Sequence, residues 1–198
     1  MAKFVDDSEI SKAKVFWLSP EATEGGVKLM TLIILGAGGF GRVIADIASQ
    51  SNEYSEIAFL DDNSAESDVL GKCADYGKYI AADCRFYAAF GNNQLRMEWL
   101  DKLEQSGAQV ATIIHCTAYI SPTARVGLGT AVLPHAVVNS HTEIGKGCLL
   151  NIGILVDHNC TISDGAHLCL GAIVKANNVV PTGYKVEAGV VVERGAME

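Results

Sequence analysis

From residue 114 to residue 192 every sixth position is aliphatic, fourteen in succession without an insertion: Ile114, Ile120, Val126, Val132, Val138, Ile144, Leu150, Val156, Ile162, Leu168, Val174, Val180, Val186 and Val192. A helix face recurs about every 3.6 residues and a half-buried strand about every two, so a step of six marks a structural repeat. The residue two before each aliphatic is usually small, as at Ala118, Ala124, Thr130, Ala136, Thr142, Cys148, Cys160, Ala166 and Ala172. Large and small side chains alternating at a fixed interval predict a narrow prism of stacked short strands, each turn burying its apolar edge on the next.

The hydrophobic pattern upstream is of another kind. Residues 31–35 read as a short apolar strand, followed by Gly36-Ala37-Gly38-Gly39-Phe40-Gly41 and then by Val43, Ile44, Ile47 and Ala48 at helical spacing. A glycine-rich turn between strand and helix lets a phosphate approach the backbone at a helix N-terminus. A second strand over 56–60 ends in Asp61-Asp62, twenty residues after Gly41, where a carboxylate can meet a ribose hydroxyl. A third strand over 86–90 leads through Gly91 to Asn92, an N-cap for a helix reaching Glu104 and closed by Gly107. Residues 110–114 read as a fourth strand. The stretch is too short for both halves of a dinucleotide fold, so it predicts one mononucleotide-sized site and not an NAD enzyme.

Composition narrows the picture. The 198 residues carry a net charge of −8, which argues against nucleic acid or an anionic membrane surface as partner. No apolar stretch nears the roughly 18 residues of a spanning helix, so no membrane insertion is expected. Six cysteines without a CxxC pair point to a reduced, cytoplasmic protein, with Cys148 and Cys160 as core filler. The chain divides into a polar leader of unknown role (1–29), a Rossmann-like unit (30–113) and the repeat (114–198). Among five histidines, His158 and His167 flank the middle of the repeat, the first within Asp157-His158-Asn159. No second ligand stands at metal-type spacing, so no metal is expected. Lys175 and Lys185 could meet phosphates or simply be solvated.

At this point the chain resembles a known family. The hexapeptide repeat looks like the left-handed β-helix of the hexapeptide acyltransferases, and LIILGAGGFGRVIADI, IAFLDD, FGNN, ISPTARVG, NIGILVDHNC and HLCLGA together resemble the NeuD/PglD-type sugar O- and N-acetyltransferases. The resemblance implies a Rossmann-like α/β subdomain followed by a left-handed parallel β-helix with three hexapeptides per coil, a homotrimer, acetyl-CoA as co-substrate, and a nucleotide-sugar acceptor held by residues 30–113. It carries the general base onto His158, with Asn159 beside it, and acetyl-CoA contacts onto His167, Asn151 and Gly171. It carries acceptor contacts onto Gly38, Gly39, Phe40, Asp61, Asp62 and Gly91. Asn159 stands where relatives have an acidic residue; an amide can orient an imidazole but not stabilise its cation by charge. Phe40 stands where sugar-binding members have a histidine, which points to a different acceptor. The repeat also stops about one coil early. Serine or another small O-acceptor, or a catalytically weak nucleotide-sugar-binding scaffold, are the alternatives.

Overall fold

The computed structural model describes residues 30–64 and 66–197; the leader expected over 1–29 lies outside them. Met30–Leu35 (β1), Tyr54–Leu60 (β2), Val69–Gly71 (β3) and Cys84–Ala88 (β4) form a parallel sheet in the order β3-β2-β1-β4. Leu32, Ile33, Ile34 and Leu35 of the central strand are fully buried, as a parallel strand covered on both faces requires. Helix α1 (Gly39–Ser49) covers one face with Ile44, Ile47 and Ala48. Helix α2 (Asn93–Gln105) turns Leu103 to the other. Asn92 caps α2, its side-chain oxygen accepting the Leu95 amide at 2.9 Å, as its sequence position predicts.

The strand expected over 110–114 forms only in part. Val110 makes one parallel bridge to Phe86, and Ile113–Ile114 then pairs with Ala131–Val132 in the prism. The chain leaves the sheet to begin the first coil, and β3 supplies the fourth strand at the opposite edge. Val69-Leu70-Gly71 is too short to display alternation, so this strand has no sequence signal.

Fourteen two-residue strands build the left-handed parallel β-helix. On its first face stack Ile113–Ile114, Ala131–Val132, Leu149–Leu150, His167–Leu168 and Lys185–Val186. The second face carries Tyr119–Ile120 through Val191–Val192, and the third Arg125–Val126 through Val179–Val180. Stacked partners are eighteen residues apart, as from Leu149 to His167. Of the six-step aliphatics all but Ile114 and Val126 are buried, and those two pack against the same core. Ala118, Ala136, Cys148, Cys160, Ala166 and Ala172 fill the interior between them. The two units share a core: Ala131, Leu133 and Leu149 of the first face pack with Leu32, Ile34, Phe59 and Tyr87. The first face is therefore a floor beneath the sheet.

Candidate active site

The carboxyl ends of β1, β2 and β4 lie along one edge of the sheet, and the order β3-β2-β1-β4 puts the switch in strand order between β1 and β4, the place where open α/β sheets bind ligands in a crevice. The glycines there divide into two kinds. A Cβ on Gly41 would stand 1.9 Å from the Gly36 carbonyl oxygen, and Gly36 itself has φ +102°, so both are demanded by the turn. Gly38 and Gly39 are exposed, a Cβ on either would meet nothing within 4 Å, and Gly38 has an ordinary φ of −69°. Packing gives these two no reason to be glycine, and both stand at the α1 N-terminus, where backbone N–H groups lack helical partners. Gly91 is likewise exposed and open.

Asp61 builds the loop. It accepts the Ala37 amide at 2.7 Å on one oxygen and the Asn63 and Ser64 amides on the other, and these bonds hold its carboxyl below the usual range. Asp62 accepts the Cys73 amide at 3.1 Å and is exposed. Phe40 packs edge-on against Tyr87 with centroids 6.4 Å apart. Arg42 stacks 4.1 Å over Phe59 and pairs with Asp68 and Glu66, so the cation beside the loop already has carboxylate partners.

On the coil, His158 is exposed at the corner that ends the second face. Its amide donates to Asp157 Oδ1 at 2.8 Å; that bond is the main cause holding the Asp157 carboxyl below its ordinary range. Asn159 has φ +57°, a left-handed conformation that asparagine tolerates better than most residues, and its counterparts His141 and Asn177 share it. The corner geometry thus accounts for an amide at this position.

His167 lies on the first face and is 9 % exposed. Burial, with the Arg96 and Lys185 charges adding to it, pushes its pKa down to about 4, so the ring is neutral at physiological pH. Its Nδ1 is buried without a hydrogen-bond partner, and Nε2 stands 3.6 Å from Cys169 Sγ. Asn151 joins this face through its amide, which donates to the Leu168 carbonyl at 3.0 Å, and Gly171 (φ +64°) occupies the following corner. Asn151, His167 and Gly171 therefore gather on adjacent coils. His158 does not join them: within one chain the third face lies between it and His167. Lys175 pairs with Glu193 and Lys185 with Glu187, partners that a phosphate would have to displace.

Sequence reasoning overlooked the seam between the units. Gly129, Gly147, Gly165 and Gly183 recur every eighteen residues, all with positive φ, and form one edge of the prism. α2 lies along that edge, with Met97 and Leu100 where glycine Cβ atoms would stand and Asn93 Nδ2 donating to the Gly183 carbonyl at 2.9 Å. Lys146 on the coil pairs with Asp101 and Glu104 of α2. Arg96 is buried in the seam, as is Tyr87, whose hydroxyl has no partner. The eighteen-residue glycine period was visible in the sequence. What it serves depends on knowing that the coil has three corners.

Comparison with known proteins adds a consistent pattern. The PglD N-terminal domain family matches residues 31–103. The UDP-N-acetylbacillosamine N-acetyltransferase of Bacillus subtilis is 28% identical over 112 residues, 53% of this chain and 52% of the relative, so the match spans about half of each. The acetyltransferase domain of PglB from Neisseria gonorrhoeae, solved in complex with acetyl coenzyme A, superposes with a TM-score of 0.75 at 27% identity, covering 83% of this chain and 91% of that one. A perosamine N-acetyltransferase from Caulobacter crescentus, solved as a mutant with CoA and GDP-perosamine, has a TM-score of 0.67 at 23% identity over 81% of this chain and 90% of its own, a likeness of fold. Among the described residues no helix is long and apolar enough to cross a membrane, and no group of three or more metal-ligating side chains assembles.

Proposed function

We propose that this chain, which is of the NeuD/PglD type, moves the acetyl group of acetyl-CoA directly onto an amine or hydroxyl of a nucleotide-linked sugar, with His158 as general base. The observation that carries the reading is the pair of open glycines, Gly38 and Gly39, at a helix N-terminus in the crevice between β1 and β4. Glycine without a folding reason, at a phosphate-binding position, supports a nucleotide-bearing acceptor in the unit formed by residues 30–113. Phe40, Asp61, Asp62 and Gly91 border the same crevice, Asp61 by shaping the loop.

In the chemistry proposed for the unit 114–198, His158 takes the proton of the acceptor as its nitrogen or oxygen attacks the thioester carbonyl. The C–S bond then breaks and CoA thiolate leaves, taking the proton back from the imidazolium. The tetrahedral oxyanion needs N–H donors, which backbone at a coil corner can supply. Asn159 would orient the ring as a neutral neighbour. His167, Asn151 and Gly171 would contact acetyl-CoA. Because the His167 ring is neutral, its contact is a hydrogen bond and not an ion pair with phosphate.

Calorimetric titration tests the two binding functions separately. CoA and UDP- or GDP-linked sugars are each expected to bind; a scaffold would bind the nucleotide and ignore CoA, and failure to bind either would remove the proposal. The Gly39→Ala variant is expected to keep or slightly raise its thermal midpoint, since glycine-to-alanine at a compatible site stabilises by about 0.4–1 kcal/mol. Its affinity for the nucleotide-sugar should nevertheless fall about tenfold, roughly 1.4 kcal/mol. Unchanged affinity would separate the loop from the ligand.

A homotrimer fits the second face. Tyr119, Val137, Leu155, Ile173 and Val191 form an outward apolar ladder, with Tyr119 55%, Leu155 43% and Val191 42% exposed. The third face presents Arg125, Glu143 and Thr161 before ending on an exposed Val179. Association through the second face supports a site in which His158 of one copy, at the corner ending that face, meets the Gly171 corner of another, where the same face begins. Sedimentation should give three times the 21.0 kDa chain mass, and Leu155→Glu a smaller species. A wild-type monomer would contradict the shared site.

A further inference from the structure

Arg96 is 1 % exposed, yet its four hydrogen bonds all go to neutral oxygens. Two stay beside the acceptor crevice: Nη1 donates to the Phe90 carbonyl and Nη2 to Asn93 Oδ1, both at 2.9 Å. Two cross to the coil: Nε donates to the Gly147 carbonyl at 2.8 Å and Nη2 to that of Gly165 at 3.0 Å. A buried cation is tolerated when carbonyl dipoles saturate it, and the rigid guanidinium fork then fixes every group it touches. Phe90 directly precedes Gly91, and Gly165 lies two residues before His167. One side chain thus spans the acceptor loop and two successive coils, at the strand that carries the acetyl-CoA histidine.

We infer that Arg96 is a positioning residue, whose guanidinium fixes the loop of residues 90–93, and so an acceptor held there, against the coil segment bearing His167. The inference rests on the acetyltransferase reading for its catalytic meaning, but the tie between loop and coil is independent of it. The Arg96 charge is also among the causes, after burial, that lower the His167 pKa, in keeping with their proximity. Lysine offers a point charge in place of a fork, so charge alone does not replace the tie.

The test uses Arg96→Met and Arg96→Lys in the full chain, with Gly165→Ala as a second route. At φ +68° a Cβ on Gly165 stands 2.7 Å from Met97 Cγ, which pushes α2 away while leaving Arg96 intact. With acetyl-CoA and a nucleotide-sugar the wild type accepts, kcat/KM for the sugar should fall at least about tenfold in all three through a raised KM for the sugar, with KM for acetyl-CoA within about twofold, because loosening the loop that holds one reactant spares binding of the other. Hydrogen exchange in substrate-free protein should quicken in peptides spanning 88–97, where the Leu95 and Arg96 amides close the first turn of α2, and not in β1. Unchanged exchange overturns the inference whatever the kinetics, as does a fall in kcat with both KM values unmoved, the mark of a smaller folded fraction. If no acceptor is turned over, the acetyltransferase reading fails and the exchange result alone decides the tie.

Discussion

Replacing His158 with alanine is expected to slow acetyl transfer by about 10²–10⁴-fold, the range over which a positioned general base contributes. The thermal midpoint should barely move, because the side chain is exposed at a coil corner and substitutions away from packed features usually stay within about 0.5 kcal/mol. Rate loss without stability loss is therefore the signature. Thiol release from acetyl-CoA, followed beside a thermal melt, checks both. A variant that turns over like the wild type would remove His158 from the chemistry and reopen the scaffold reading.

The largest effect on stability belongs to Gly41→Ala. The added Cβ would sit 1.9 Å from the Gly36 carbonyl oxygen and 3.0 Å from its carbon, both backbone atoms of a turn already held at φ +102°. Backbone cannot rotate away as a side-chain tip can, so α1 must lift from β1. Gly36 in turn is anchored by its amide to the Leu60 carbonyl at 2.8 Å, which spreads the disturbance into β2. The cost should reach the upper end of the about 1–3 kcal/mol seen for overpacking. For a chain of this size that lowers the thermal midpoint by roughly 5–10 °C. A midpoint within about 2 °C of the wild type would mean that the turn is far softer than its geometry implies. Two glycines of one motif thus answer to different demands: Gly41 to packing, Gly39 to whatever lies outside.

The coil was legible because its rule is strict. A buried inward position every six residues admits only side chains that fill the prism, and the register follows without a gap from Ile114 to Val192. The hand is different, since inward positions recur identically in either sense; it came with the family resemblance. The first strand, glycine turn and first helix were equally readable, because turn chemistry and helical periodicity reinforce each other over residues 31–48.

Long-range pairings were out of reach. Arg96 bonds to carbonyls 51 and 69 residues away, and a carbonyl has no residue type to betray it. Asp61 looked like a ribose ligand from its place after β2. The structure adds that one of its oxygens accepts the Ala37 amide, a loop-building role that spacing alone does not reveal. The exposed corner of His158 and the covered face of His167 are also invisible to a six-residue count, which treats all three faces alike.

The most direct measurement of the central claim is product formation. Acetyl-CoA is incubated with a panel of UDP-, GDP- and CMP-linked amino sugars, with serine as control, and free thiol and acceptor mass are followed together. Direct transfer predicts one thiol released for each acetyl group gained by a nucleotide-sugar and none with serine. Thiol release with no acetylated sugar, or acetylated serine in its place, would contradict it.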